Sequence, residues 1–261
     1  VEKPDGDRAP SLAHVYLHLV GSERERPQDR RAADEVAAAA PALVDLARQS
    51  TRFLMEAVAY CARQGVDQFL DIGSGTPGSP PVHEAAHAVN PAARIVYVDS
   101  DPGAPSRVPP RHFDATRRVW QIKAAAGDTE GILSHGTVIR VLDLTRPVAV
   151  LWTSTMSLIP DHDDPVGIAR AMMEEMPSGS HMVMSHVTSD GADPEMLAYV
   201  HRRNPLFHRP LQLRRRHQIV SFFDGLDLVG PGLVPVTDWP APADPPVVLP
   251  LSGYAAVGRK P

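Results

Sequence analysis

An apolar run, Phe69-Leu70-Asp71-Ile72, breaks off into Gly73-Ser74-Gly75-Thr76-Pro77-Gly78, and no other stretch constrains the fold as strongly. A short apolar run with an aromatic residue, stopped by glycines, reads as a buried strand with a tight turn at its carboxyl end. A second apolar run, Ala93-Arg94-Ile95-Val96-Tyr97-Val98-Asp99, ends in an acid. Strand, glycine turn, helix, strand and acid in that order lay out a nucleotide-binding βαβ unit. The glycines let backbone approach a ligand closely, and the acid at the next strand tip can accept both hydroxyls of a ribose.

The spacing Gly73-x-Gly75-x-x-Gly78 satisfies the dinucleotide fingerprint literally, which by itself is a weak signal. In a dinucleotide site the third glycine lies inside a helix whose N-terminus faces the pyrophosphate. Here Pro77, Pro80 and Pro81 surround Gly78, and proline is tolerated only in a helix's first turn. The helix is therefore expected to begin near Pro81 or Val82, after a longer loop. Asp71 would repel a diphosphate. It suits a cationic ligand better, such as the amino and sulfonium groups of S-adenosylmethionine. A glycine turn with a purely structural role is the bland alternative.

The stretch 68–75, then Val82-His83-Glu84-Ala85-Ala86, then Val96-Tyr97-Val98-Asp99-Ser100-Asp101-Pro102 resembles an actinobacterial family of S-adenosylmethionine-dependent methyltransferases. The resemblance continues in order through Pro147-Val148-Ala149-Val150-Leu151, Ser185-His186, Phe222-Phe223-Asp224-Gly225-Leu226 and the terminal Gly258-Arg259-Lys260-Pro261. It implies an α/β fold: a doubly wound, mostly parallel, seven-stranded Rossmann-like methyltransferase sheet with an N-terminal helical cap. The expected division is a cap over 1–55 and an S-adenosylmethionine-binding domain over 56–261. The resemblance is specific for the family and not for a reaction.

At 261 residues the chain can build one sizeable core, or one core with a small cap. A net charge of −5 argues against a general nucleic-acid footprint. Cys61 is the single cysteine, so neither an intrachain disulfide nor a cysteine-based zinc site is expected. No run approaches the ~18 apolar residues of a transmembrane helix, and the first residues have no apolar signal region. A bacterial cytoplasmic enzyme of small-molecule metabolism, with no membrane partner, is the default expectation. The oligomeric state stays open, with a homodimer as one candidate. The 27 prolines cluster around the glycine turn, at 102–110 and at 231–250, and mark loops.

Leu12, Val15, Leu19 and Val20 fall near helical spacing, and residues 28–39 and 41–65 read as alanine-rich helices broken at Pro41. Further strands are expected at 119–123 or the alanines just after it, at 148–153 and 181–187, and at 226–229, 234–239 and 253–257 near the end. Asp164-Pro165 and Asp193-Pro194 read as an N-cap followed by a first helical residue. His83-Glu84-Ala85-Ala86-His87 is a literal HExxH. It sits where the first helix of the nucleotide fold belongs, with no third-ligand helix in view, so no metal is expected. His83 and Glu84 then either line the cofactor site or serve structure. The arginines of 202–216 read as a solvated face or as a receptor for an acidic substrate group.

The resemblance implies that Asp71, Gly73, Ser74 and Gly75 hold S-adenosylmethionine together with Asp99 and Ser100. It places Asp128 near the adenine amino group and Thr155 below the methionine chain. It also implies that the segment carrying Tyr16, Leu19 and Gly21 closes over the cofactor. Three departures from the family pattern stand out: Glu23-Arg24-Glu25, Ser50-Thr51, and Ser157 where many members carry histidine. Methyl transfer to a small molecule, by positioning with a modest general-base contribution, is the leading expectation. A cyclase or lyase that closes a small-ring amino acid and releases methylthioadenosine is the alternative, and a non-catalytic cofactor-binding protein is a second. Tyr16, His83, Glu84 and His186 are the candidate bases or clamps.

Overall fold

The computed structural model of the protein describes residues 10, 12–19, 27–74, 81–100, 118–207, 209–242 and 244–261. The expectations for Gly21, 23–25, Gly75, Gly78 and 103–117 fall outside the described residues. Three helices come first: α1 (Leu12–Leu19), α2 (Pro27–Ala39) and α3 (Pro41–Arg63). Pro41 occupies the first turn of α3, where its missing N–H has no intrahelical partner to lose. Ala32, Ala33 and Val36 of α2 pack with Val15 and Phe207 in a small cap core.

The sheet follows, and its elements alternate with helices. β1 (Gln68–Ile72), α4 (Val82–Val89), β2 (Arg94–Asp99) and β3 (Val119–Lys123) form the first half. α5 (Thr129–Leu133), α6 (Gly136–Val141), β4 (Ala149–Thr153), α7 (Pro165–Glu174) and β5 (His181–Val187) form the second. α8 (Pro194–Arg203), α9 (Arg216–Val220), β6 (Asp227–Leu228), β7 (Val234–Pro235) and β8 (Gly253–Arg259) complete the chain. The strand order is β3-β2-β1-β4-β5-β8-β6, with β7 also paired to β8. β1 to β5 run parallel, and β8 lies antiparallel to β5, β6 and β7. The sheet thus has eight strands rather than seven.

Every residue of β1 and β5 is buried, as strands covered on both faces require. Alternate residues supply two cores. Leu70, Val96, Val150 and Trp152 face α5, α6 and α7. Phe69, Ile95, Leu151 and Val183 face α3 and α4. On that second face Phe53 meets Trp239 edge-on at 5.4 Å, and Tyr60 meets Trp239 at 5.9 Å. Such pairs add about 0.5–1.5 kcal/mol beyond the area they bury.

Helix starts follow the expected chemistry. α4 begins at Val82, directly after Pro81. The Asp164 carboxylate accepts from Gly167 N at 3.0 Å, and the Asp193 carboxylate accepts from Glu195 N and Met196 N at 2.9 and 3.1 Å. The terminal strands are shorter than the apolar pattern suggests. Pro235 ends β7 because it has no N–H for the ladder, and Val236–Asp238 turns into a single 3₁₀ turn. Residues 216–223 are helical, α9 running into the 3₁₀ turn Ser221–Phe223. The 55/56 division falls inside α3, whose N-terminal half bears on the cap and whose C-terminal half bears on the sheet. Among the described residues no helix is long and apolar enough to cross a membrane.

Candidate active site at the strand tips

The strand order reverses between β1 and β4, and in sheets of this kind ligands bind outside the carboxyl ends at that point. The β1 turn is built to fixed dimensions there. Gly73 has φ +74, a left-handed conformation that glycine adopts without cost. Its N–H and that of Ser74 both point at Val98 O, at 2.8 and 3.3 Å. A Cβ on Gly73 would lie 2.3 Å from Thr155 Cγ2. Thr155 in turn donates its hydroxyl to Ile72 O at 2.9 Å, tying the β4 tip to the β1 tip. Ser154, just before it, has φ +60 without being glycine, a strain of about 1–3 kcal/mol that such tips carry.

Asp71 lies below this turn and lines a cavity that opens over the strand tips. It is only 6% exposed, and burial pushes its carboxyl up to about 7, with the Asp99 carboxylate pushing the same way. Tyr97, its register partner on β2, lines the same wall. The Tyr97 hydroxyl accepts from His83 N at 3.1 Å and lies 2.9 Å from His83 Nδ1. Burial and the nearby Asp71 hold the phenol's pKa well above its ordinary value.

The expected residues divide into three groups. Asp71, Gly73, Ser74, Thr155, Tyr16 and His186 line the cavity. Asp99 stands at the β2 tip with exposed Ser100 beside it. Asp128 is exposed and caps α5, accepting from Gly131 N at 2.9 Å. His83 and Glu84 do not line the cavity: His83 packs beneath Tyr97, and Glu84 is exposed on the first turn of α4. His87 Nε2 donates to Ala93 O at 3.0 Å, so the two histidines of the HExxH stretch are turned to different partners, with ring centres 6.0 Å apart. Among the described residues no three His, Cys, Asp or Glu side chains are grouped as a metal site would need.

Two of the candidate bases are poorly placed for that work. His186 Nδ1 donates to Val187 O at 2.7 Å, and Nε2 accepts from the Arg214 guanidinium at 2.7 Å. Its one lone pair thus faces a cation. Burial pushes the imidazole down to about 4, and Arg214 adds to the effect. Tyr16 donates to Ala47 O at 3.1 Å and lies 3.3 Å from Thr51 Oγ1. Burial raises its phenol to about 12, so it clamps α1 to α3 instead of taking protons near neutral pH. The Ser157 hydroxyl oxygen accepts from Val187 N at 3.3 Å.

Arg214, one of the basic 202–216 cluster, is the arginine whose burial beside His186 the sequence does not show. It is 4% exposed, and all its N–H groups are spoken for. They go to Asp161 Oδ1, to Met156 O and Ile159 O, and to His186 Nε2. Nothing in the run Arg214-Arg215-Arg216 marks the first as the buried one. The rest of the cavity wall is largely apolar, including Leu43, Leu46, Leu54, Met55, Val187 and Leu211, with Ser50, Thr51, Tyr199, Arg203 and Asn204 as polar groups within it. The cavity therefore has an acidic end at the strand tips and an apolar end under the cap.

A reversal at β1/β4, a glycine turn after β1, an acid at the β2 tip and an antiparallel last pair define the Rossmann-like methyltransferase class. Within that class the chain belongs to the S-adenosyl methyltransferase family, whose sequence model matches residues 3–261. It is similar to a DUF574-family protein from Streptomyces avermitilis MA-4680, at 36% identity and a TM-score of 0.89, covering 97% of this chain and 98% of that one. It is also similar to a candidate methyltransferase from Thermobifida fusca YX, at 30% identity and a TM-score of 0.88, covering 100% and 99%. Human N-acetylserotonin methyltransferase in complex with S-adenosylmethionine shares the fold alone, at 12% identity, a TM-score of 0.50 and coverage of 94% and 62%. No protein with a curated function matches the chain.

Proposed function

We propose that the protein binds S-adenosylmethionine at the strand tips and transfers its methyl group to a small molecule held under the cap. The observation that carries this reading is Asp71, buried in the cavity wall at the strand tips, with the Asp99 carboxylate near enough to raise its proton affinity further. A buried carboxyl whose proton affinity is raised further by a second carboxylate calls for a cation beside it. S-adenosylmethionine, when bound, supplies an activated methyl on a sulfonium centre. Asp71 would face its positive charge and Asp99 its ribose hydroxyls, while the Gly73 and Ser74 backbone leaves room for close approach. Thr155 fixes the distance between the two strand tips.

Catalysis by this chain is then mainly positioning. His186 and Tyr16 are committed to other hydrogen bonds, so the acceptor must reach the site as a competent nucleophile or lose its proton to solvent. The cap walls exclude water from the acceptor's apolar body.

The test is calorimetry with S-adenosylhomocysteine, followed by incubation of S-adenosylmethionine with candidate acceptors and mass analysis of products. Asp99→Ala should weaken S-adenosylhomocysteine by about 1.5–3 kcal/mol through loss of charge-assisted ribose bonds. S-adenosylhomocysteine should form only when an acceptor is present. No binding by the parent protein, or methylthioadenosine from S-adenosylmethionine alone, would overturn the reading.

A further inference from the structure

Helix α8 carries two polar groups that the methyl-transfer reading does not use. Tyr199 and Arg203 lie one turn apart on the same face of α8, and both line the apolar end of the cavity. The Tyr199 hydroxyl and the Arg203 Nε are each buried without a hydrogen-bond partner. Buried donors left unpaired are uncommon in folded proteins and costly where they occur. Arg203 keeps its charge in place through its other end, where Nη2 donates to Glu35 on α2. Its Nε–H has no protein partner of its own, and the residue lines the cavity. Two donors on one helix face, one of them on a guanidinium, among Val36, Leu43, Val200 and Phe207, make a receptor for an oxyanion on an apolar body.

The geometry points to an acceptor that is an apolar small-molecule carboxylate, its carboxylate held by Tyr199 Oη–H and Arg203 Nε–H and its body lying along the cap toward the strand tips. This rests on the methyl-transfer reading for the word acceptor, but the carboxylate site stands on α8 alone. It also gives part of the 202–216 arginine cluster a role that a solvated face would not have. Of that cluster, Arg203 reaches the cavity, whereas Arg214 is consumed by the loop after β4. The carboxylate would sit at the far end of the cavity from Asp71, where the acid pair does not oppose it.

The test uses ω-phenylalkanoic acids from phenylacetate to 8-phenyloctanoate, each paired with its primary amide, titrated by calorimetry into the full chain with and without S-adenosylhomocysteine. At least one acid is expected to bind ten times more tightly than its amide. Tyr199→Phe, which removes only the hydroxyl, and Arg203→Lys, which keeps the Glu35 pair and loses Nε–H, should each weaken that acid by about five- to twentyfold. Both should leave S-adenosylhomocysteine affinity within twofold, which also reports that the variants are folded. If no acid outbinds its amide, or if both variants bind the acid like the parent, the carboxylate assignment is wrong. A parent that binds an acid but not S-adenosylhomocysteine would instead sink the methyl-transfer reading and leave this site standing.

Discussion

At Asp71 the chain holds a carboxyl that burial and Asp99 push up to about 7. In the free protein Asp71 is therefore protonated below that value, and a cationic ligand must displace the proton. The sign follows from linkage. Ligand binding favours the ionised form, so affinity for the ammonium-bearing S-adenosylhomocysteine should rise with pH and level off above about 7, with a slope of up to tenfold per unit. The Tyr97 phenol stays protonated across this range. Asp71→Asn should flatten the profile between pH 5.5 and 7.5, and an unchanged slope in calorimetry would show that another group sets it. Stability of the free protein runs the opposite way. The folded chain keeps this proton up to about pH 7 whereas the unfolded chain releases it near 4, so Asp71's contribution is full below 4 and is lost as pH rises through 7. Burial of His186, pushed down to about 4, acts in the reverse sense between 4 and 6.5. That is why the ligand titration, and not a melting curve, isolates Asp71.

Among the elements, the loop after β4 shows where sequence reading stops. β1, β2 and β4 were legible as apolar runs, with a glycine directly after β1 and an acid at the end of β2, whereas β3 carries Gln121 and Lys123 and runs on into alanines. The start of α4 was legible because three prolines forbid an earlier one. The lengths of β6 and β7 were not, because apolar content in a proline-rich tail does not say which N–H groups find ladder partners. The acid in the cavity wall was visible as Asp71, and its neighbour at the β2 tip as Asp99. The apolar end was not, since α1, α3 and α8 meet only in three dimensions. Arg214 was hidden for a related reason: three of its acceptors are Met156 O, Ile159 O and His186 Nε2, and backbone carbonyls leave no trace in composition. These bonds hold the 3₁₀ turn Thr155–Leu158 against β5. Arg214→Met should cost about 1–3 kcal/mol, because it strands the buried acceptors Met156 O and Ile159 O, whereas the exposed Asp161 adds little. Urea unfolding measures this, and a loss below about 1 kcal/mol would mean that the loop is held by other contacts.

Over the whole molecule, α3 joins what the sequence divides. Phe53, Ala57, Val58 and Cys61 of that helix are fully buried against the sheet side, while Leu43 and Leu46 near its start pack with the cap and with α8. Tyr16 is tied to Ala47 on the same helix, and Arg52 Nη2 reaches Thr237 O at 2.7 Å on the far side of the fold. A cap anchored on a helix that also belongs to the main core has no independent hinge. Its own apolar core is small, with Val15, Ala32, Ala33, Val36 and Phe207 as its buried members, and would contribute little alone. Cap and sheet are therefore expected to unfold in one transition. Trp152 and Trp239 report the sheet core by fluorescence, whereas far-ultraviolet circular dichroism reports the helices, so the two urea curves should superimpose. S-adenosylhomocysteine at 100 times its dissociation constant should shift both curves together by about 2.7 kcal/mol, since the ligand binds only the intact chain. A helical signal lost at lower urea than the tryptophan signal, with only the later step responding to ligand, would establish the cap as a separable unit and show that α3 does not couple it to the sheet.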